Sequence, residues 1–203
     1  MEKITKIIIE LAASRFTQLG IRNVSIDDIC NELRISKKTF YKYFSQKEDL
    51  IVAVLVNFGE QNKKKFSRIY ENNNSIDALV QIIMELKKTE DNKPHAFLHD
   101  LKKYYPEIDS KFREKQMLVI REDFESNLKK GIDEGYYRED IDVEMVSYFH
   151  SMHLRSLFEQ IQESSTKISK KRMMNFFIDL ITRLITNEKG YEYVQNKLQK
   201  DKN

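Results

Sequence analysis

Residues 36–44, SKKTFYKYF, bring three lysines and four aromatic side chains into nine positions. Wound as a helix, the stretch puts Phe40 and Phe44 on one face at a spacing of four and turns Lys37, Lys38, Thr39 and Lys42 away from it. Ser36 stands where a side-chain oxygen can cap the first free backbone amides. From Arg34 to Lys47 there are five basic residues (Arg34, Lys37, Lys38, Lys42 and Lys47) and no acid; the next acids are Glu48 and Asp49. Such a segment is anchored by its two phenylalanines and presents its cations outward.

The flanking sequence supplies the rest of a small helical unit. Ile4, Ile8, Leu11, Ala12, Phe16 and Leu19 repeat at three and four, one face of a helix. Gly20 suits the left-handed position just past its end, with Ile21 placed to pack back on Phe16. Ser25 with Asp28 three residues later is a capping box opening a short helix through Ile29, Cys30 and Leu33. Only Arg34 and Ile35 separate it from Ser36, so two short helices joined by a tight turn form a helix-turn-helix. Ser45 and Glu48 read as a third box, launching a long helix to about Tyr70. Further helical stretches are predicted at about 75–90, 95–103, 107–133, 142–162 and 169–188, with breaks at DNKP, YYPE, GYYRED and ESSTK; the tail YEYVQNKLQKDKN is a weak last helix or a frayed end.

A basic helix entering the major groove by its N-terminal end would offer Lys37, Lys38, Thr39 and Lys42 to base edges and nearby phosphates. Tyr41 and Tyr43 carry hydroxyls able to donate to phosphate. The plainer reading makes the lysines the solvated face of a short helix; the capped helix before them and the local absence of acid weigh for DNA.

Whole-chain composition agrees with a helical protein. Only two prolines and five glycines occur in 203 residues, too few for the turns of a sheet protein, and the fold class expected is all-α. Thirty-five Lys and Arg against 32 Asp and Glu leave +3, so any basic site is local. One cysteine excludes an internal disulfide framework and a Cys-based zinc site, and it fits the cytoplasm. The N-terminal apolar run Ile7 to Ile9 is cut by Glu10 and Arg15, so neither a signal-peptide core nor a membrane span is expected there or elsewhere.

The span from Ile8 to Val54, nearly a quarter of the chain, resembles the DNA-binding domain of TetR-family transcriptional regulators. The resemblance rests on Ala12-Ala13, Phe16, Gly20, Ser25-Ile26-x-x-Ile29, Ile35-Ser36-Lys37, Thr39-Phe40-Tyr41-x-Tyr43-Phe44 and Gln46-Lys47. It implies a three-helix DNA-binding domain over 1–46, with the helix from Ser36 to Phe44 as recognition helix, and a helical effector-binding and dimerisation domain over 47–203. By position it implies phosphate contacts from Ser25, Tyr41, Tyr43 and Lys47 and base-proximal roles for Lys37, Lys38, Thr39 and Lys42; Arg34 and Ser36 complete the candidate DNA-binding set. Two positions depart from the family pattern. Cys30 replaces a small alanine, and Arg34 replaces the turn glycine, at a strain of roughly 1 kcal/mol if the left-handed conformation is kept and with a gain of positive charge.

Residues 47–203 carry no glycine-rich phosphate loop, HExxH, serine elbow or partnered cysteine, so no enzyme and no cofactor are expected. His95 with His99, and His150 with His153, have helix-face spacings, yet two imidazoles do not make a metal site. The resemblance implies a cavity for a small, mostly apolar effector, with Phe97, Leu101, Tyr104, Met117, Ile120, Phe124, Phe149 and Met152 as candidate walls. The 142–162 helix has two apolar patches. Met145, Tyr148, Phe149 and Met152 form one, expected to face the core; Leu154, Leu157, Phe158 and Ile161 form the other. With Phe177, Leu180, Ile181 and Leu184 of the next helix, the second is the candidate homodimer interface, unless one subunit absorbs both.

The function these residues point to is a sequence-specific DNA-binding regulator: by resemblance a dimeric repressor released from a palindromic operator by its effector. The alternatives are a regulator with no small-molecule effector, and a helical protein-interaction or lipid-carrier module whose basic N-terminal patch meets an acidic surface.

Overall fold

The computed structural model describes residues 2–88, 95–162 and 168–200. Ten helices and no strand occur among them: α1 Glu2–Leu19, α2 Ile26–Leu33, α3 Lys37–Phe40, α4 Lys47–Asn72, α5 Ser75–Lys88, α6 His95–Tyr104, α7 Pro106–Asp133, α8 Val143–Gln162, α9 Lys170–Ile185 and α10 Glu188–Lys200. The one β-type pairing among these residues is an isolated bridge, Tyr137 with Thr186. No described helix is long and apolar enough to cross a membrane. The chain forms two compact units, residues 1–63 with 94–114, and residues 64–93 with 115–203, and α4 and α7 each contribute residues to both.

The first unit is built on α1. Ile8, Ala12 and Phe16, one stripe of that helix, are buried with Ile21, Val24, Ile29, Cys30, Phe40 and Phe44. This core takes in more than residues 1–46, because α4 adds Leu50, Ile51, Val54 and Leu55, and α6 adds Phe97 and Leu101. The rings of Phe16 and Phe97 stack at 6.5 Å. Gly20 ends α1 at φ 85°, its amide donating to Phe16 O at 2.9 Å, the left-handed stop expected from the sequence. A side chain at Gly20 would also meet Asp100, since a Cβ would lie 2.8 Å from Oδ2. That carboxylate accepts from the Arg22 amide at 3.0 Å, so the α1–α2 turn is tied to α6.

The start of α4 differs from expectation in its cap. Asp49, rather than Glu48, accepts the amides of Ser45 (2.9 Å) and Gln46 (3.2 Å) through Oδ2. The shorter Asp side chain, one residue further into the helix, folds back over the entering strand of backbone.

The second unit closes around Ile76, Ile83, Phe124, Leu128, Leu154, Met174, Ile181, Ile185 and Val194. Tyr137 lies wholly inside, its single hydroxyl hydrogen shared between two acceptors in reach, Asn127 Oδ1 (2.9 Å) and Ser75 O (3.1 Å). Gly131 makes room for that ring, because a Cβ there would fall 2.1 Å from it. The predicted 169–188 stretch ends at Ile185, where Thr186 turns extended (ψ 147°) as the C-cap. The tail then forms α10, seated by fully buried Val194 and by Tyr193, whose hydroxyl donates to Asp77 of α5 at 2.7 Å.

Candidate nucleic-acid interface

The helix pair is assembled from local signals. Ser25 caps α2 as a complete capping box: its Oγ accepts the Asp28 amide at 3.1 Å, and its own amide donates to Asp28 Oδ2 at 2.7 Å. The box holds the Asp28 carboxyl below the usual carboxylate range, chiefly through its hydrogen bonds with Ser25. At the other end Arg34 is left-handed, φ 53° and ψ 42°, and donates its amide to Asn31 O at 3.2 Å while Ile35 N reaches Cys30 O at 3.0 Å. The turn that glycine would make without strain is therefore kept by an arginine.

Ser36 Oγ accepts the Thr39 amide at 3.0 Å and caps α3. This helix is a single turn, Lys37–Phe40, shorter than the expected 36–44, with Tyr41 to Tyr43 following as hydrogen-bonded turns. Two buried rings hold it: Phe40 is inaccessible and Phe44 nearly so, their centroids 5.5 Å apart. Tyr41 stands edge-on to Phe40 and is half exposed; Tyr43 is partly buried against the same core.

The ten candidate DNA-binding residues are not equivalent. Arg34, Lys38 and Lys42 are exposed and have no side-chain partner among the described residues. Lys37 is exposed but paired, its Nζ 2.8 Å from Asp27 Oδ1, and the hydrogen bond to that carboxylate raises its pKa. Ser36 and Thr39 share a hydroxyl hydrogen bond at 2.9 Å, and the Ser25 hydroxyl is held by Asp28 at 2.7 Å. Lys47 is turned inward: Nζ donates to Ile21 O at 2.6 Å and lies 5.9 Å from the Phe16 ring centroid, and desolvation lowers its pKa. The free cations are therefore Arg34, Lys38 and Lys42, on the turn and on α3 and its continuation. Asp27 was absent from the sequence-derived set; its spacing from Lys37 crosses a turn and leaves no periodic signal.

The candidate effector residues fall in both units. Phe97 and Leu101 are core side chains of the first, packed with α1, and Tyr104 is exposed beneath the Arg22 guanidinium, which lies 4.6 Å over its ring and donates to its hydroxyl at 2.9 Å. Phe124 is buried in the second unit, with Ile120 and Phe149 partly buried against the same cluster. Met117 is partly buried and Met152 exposed. Near them His150 stacks on Phe124, centroids 3.9 Å apart, with Phe177 at 5.7 Å, while His153 Nδ1 meets Phe149 O at 2.9 Å. The two imidazoles thus have separate surroundings.

Most residues of the two α8 patches are turned opposite to expectation, although Phe149 is packed against the core and Leu180 of α9 is exposed, as expected. Leu154 and Leu157, with Phe177 and Ile181 of α9, are buried in this chain's own core, and Leu184 is packed against it. Met145 (59% exposed), Tyr148 (52%), Met152 (48%), Phe176 (68%) and Leu180 (40%) face outward. The side chains of Phe158 and Ile161 lie outside the described residues. A helix with apolar residues on both sides does not declare its inward face by periodicity. The signal was in the small residues: Ser147 and Ser151 are buried on the Leu154 side, their hydroxyls satisfied by Val143 O (2.6 Å) and Tyr148 O (2.9 Å) of the same helix.

Comparison with known proteins bears on the same segment. The profile of bacterial regulatory proteins of the tetR family matches residues 8–54, the stretch that builds α1 to the start of α4. The N-terminal domain is a TetR-family domain. Among curated relatives, the HTH-type transcriptional repressor KstR2 of Rhodococcus jostii (strain RHA1) is 25% identical over 154 residues, 70% of this chain and 72% of that protein. Among solved structures, KstR2 of Mycobacterium tuberculosis superposes with a TM-score of 0.55 at 21% identity, covering 91% of this chain and 95% of that one. A transcriptional regulator from Cytophaga hutchinsonii ATCC 33406 reaches 0.71 at 15% identity, over 90% and 98%. These likenesses extend the TetR-type fold to the helical remainder, and the protein is a DNA-binding transcriptional regulator rather than an enzyme.

Proposed function

We propose that this TetR-type regulator is a cytoplasmic repressor that binds a pseudo-palindromic operator as a homodimer and leaves it when a small, mostly apolar effector binds the larger domain. DNA binding is assigned to residues 1–46, and effector binding and dimerisation to 47–203. The observation that carries the reading is the pairing of exposed Lys38 and Lys42, which have no side-chain partner among the described residues, with the buried Phe40 and Phe44 that fix their backbone. Cations on a rigid turn can match phosphates and base edges with little further ordering.

The homodimer is supported by the outward apolar residues Met145, Tyr148 and Met152 of α8 and Phe176 and Leu180 of α9, helices that pack on each other. An apolar face of this kind is characteristic of an interface. The apolar effector is supported by the aromatic surroundings of Phe124 and Phe149 and by KstR2, described as a ketosteroid transcriptional regulator. Effector and operator then oppose each other reciprocally, each weakening the other by the same factor.

Selection of bound duplexes from a random library with purified protein tests the reading. The expected product is a motif with two-fold symmetry and half-sites about one helical turn, or a multiple, apart. Recovery of no motif, or of an asymmetric one, would overturn it.

A further inference from the structure

The ion pair Lys37–Asp27 is a feature that simple DNA contact does not require. Asp27 lies in the first turn of α2 and is exposed. Its neighbour Asp28 is committed to Ser25, whereas Asp27 Oδ1 reaches across the turn to Lys37 Nζ at 2.8 Å, with more than half of each side chain still in solvent. The pair joins the N-terminal turn of one helix to the first residue of the next. Beyond it, Arg34, Lys38 and Lys42 have no such partner among the described residues, and Lys47 is occupied by Ile21 O.

A free lysine at position 37 would seek phosphate, and phosphate contacts add affinity for every sequence alike. A lysine tethered to a carboxylate gains little from a phosphate, because reaching it breaks the pair and leaves Asp27 facing the polyanion. It retains two N–H donors for a purine edge, where the acceptors O6 and N7 carry sequence information. We infer that Asp27 is a specificity-determining residue: it holds Lys37 away from the phosphate backbone, lowering affinity for arbitrary DNA and reserving the ammonium for a base contact. Asp27 thus acts through Lys37 as a positioning residue, and the inference rests on the reading of α3 as the DNA-contacting element.

The test compares wild type, Asp27→Asn, Lys37→Gln and the double variant on two fluorescent duplexes, the selected operator and a scrambled one, across a salt series. With Asp27→Asn the freed Lys37 takes up a phosphate. The slope of log K against log salt on scrambled DNA steepens by about one unit, scrambled-DNA affinity rises about five-fold at 0.15 M salt, and the operator-to-scrambled ratio falls. The double variant returns the scrambled-DNA slope to the wild-type value, and Lys37→Gln alone weakens the operator more than the scrambled duplex. A purely structural role for Asp27 would weaken binding to both duplexes and would not steepen the slope. An unchanged slope and ratio in Asp27→Asn would overturn the inference while leaving DNA recognition by α3 intact. Equal wild-type affinity for the two duplexes would instead defeat the DNA-recognition reading itself.

Discussion

Acidification from pH 7.5 to pH 5.0 should destabilise the protein through one side chain, His150. Its ring is stacked on Phe124 at 3.9 Å, and its Nδ1 is buried with no hydrogen-bond partner among the described residues. Burial lowers its pKa from the ordinary 6.5 to about 4. The folded pKa is depressed, so the unfolded chain takes up a proton first as the pH falls. Stability is complete above about 6.5 and is lost progressively as the pH falls toward 4. At pH 5.0 the shift corresponds to ~2 kcal/mol, and by pH 4 to ~3 kcal/mol, at 1.36 kcal/mol per pK unit. His150→Phe retains an aromatic ring in the stack and removes the titration. Urea unfolding followed by far-UV circular dichroism at the two pH values measures the effect: wild type should lose ~2 kcal/mol more than the variant between pH 7.5 and 5.0. At pH 7.5 the variant should be at least as stable, since an unpaired buried nitrogen costs ~1–3 kcal/mol. Equal losses in the two proteins would refute the reasoning.

Lys38→Ala and Lys42→Ala should each weaken operator binding with helicity unchanged; a lost phosphate contact lowers the salt slope by about one unit, a lost base contact costs ~1–3 kcal/mol at one position of the site, and fluorescence anisotropy distinguishes them. Phe40→Ala removes a fully buried ring of the first unit and should cost ~3–5 kcal/mol in a denaturation curve. Arg34→Gly relieves a left-handed non-glycine residue and should raise stability by ~1 kcal/mol while reducing DNA affinity through the lost cation, as melting and anisotropy together would show. Phe176→Glu places a charge on an outward apolar residue and should yield folded monomer in sedimentation; a dimer of wild-type affinity would remove α9 from the proposed interface.

What was legible in the sequence follows from how local each signal is. The caps at Ser25 and Ser36, the stop at Gly20 and the burial of Phe40 and Phe44 depend on residues three or four apart, and the structure has them. The left-handed turn at Arg34 could be posed as a question from sequence and is answered by its φ of 53°. Long-range geometry was not legible. Lys47 looks like one more cation of a basic run until Ile21 O, 26 residues earlier, is seen to claim it. The Asp27–Lys37 pair is set by the angle between two helices, which no spacing encodes. The inward side of α8 depends on what α9 and its neighbours bury, which the two apolar stripes by themselves do not encode; only the small Ser147 and Ser151 mark it.

The seating of Tyr137 gives the molecule an optical gauge of its own unfolding. The chain has ten tyrosines and no tryptophan, so its near-ultraviolet absorbance belongs largely to phenols. Burial raises the pKa values of Tyr137 and Tyr70 far above the ordinary phenol range, while hydrogen bonds from Arg22 and then Lys103 lower that of exposed Tyr104. In an alkaline titration the tyrosinate band at 295 nm will therefore grow first from accessible rings such as Tyr104. Its last increment, from Tyr137, will come only as the second unit opens, so a mixing experiment at high pH reads the opening rate directly from the slow phase, with no label attached.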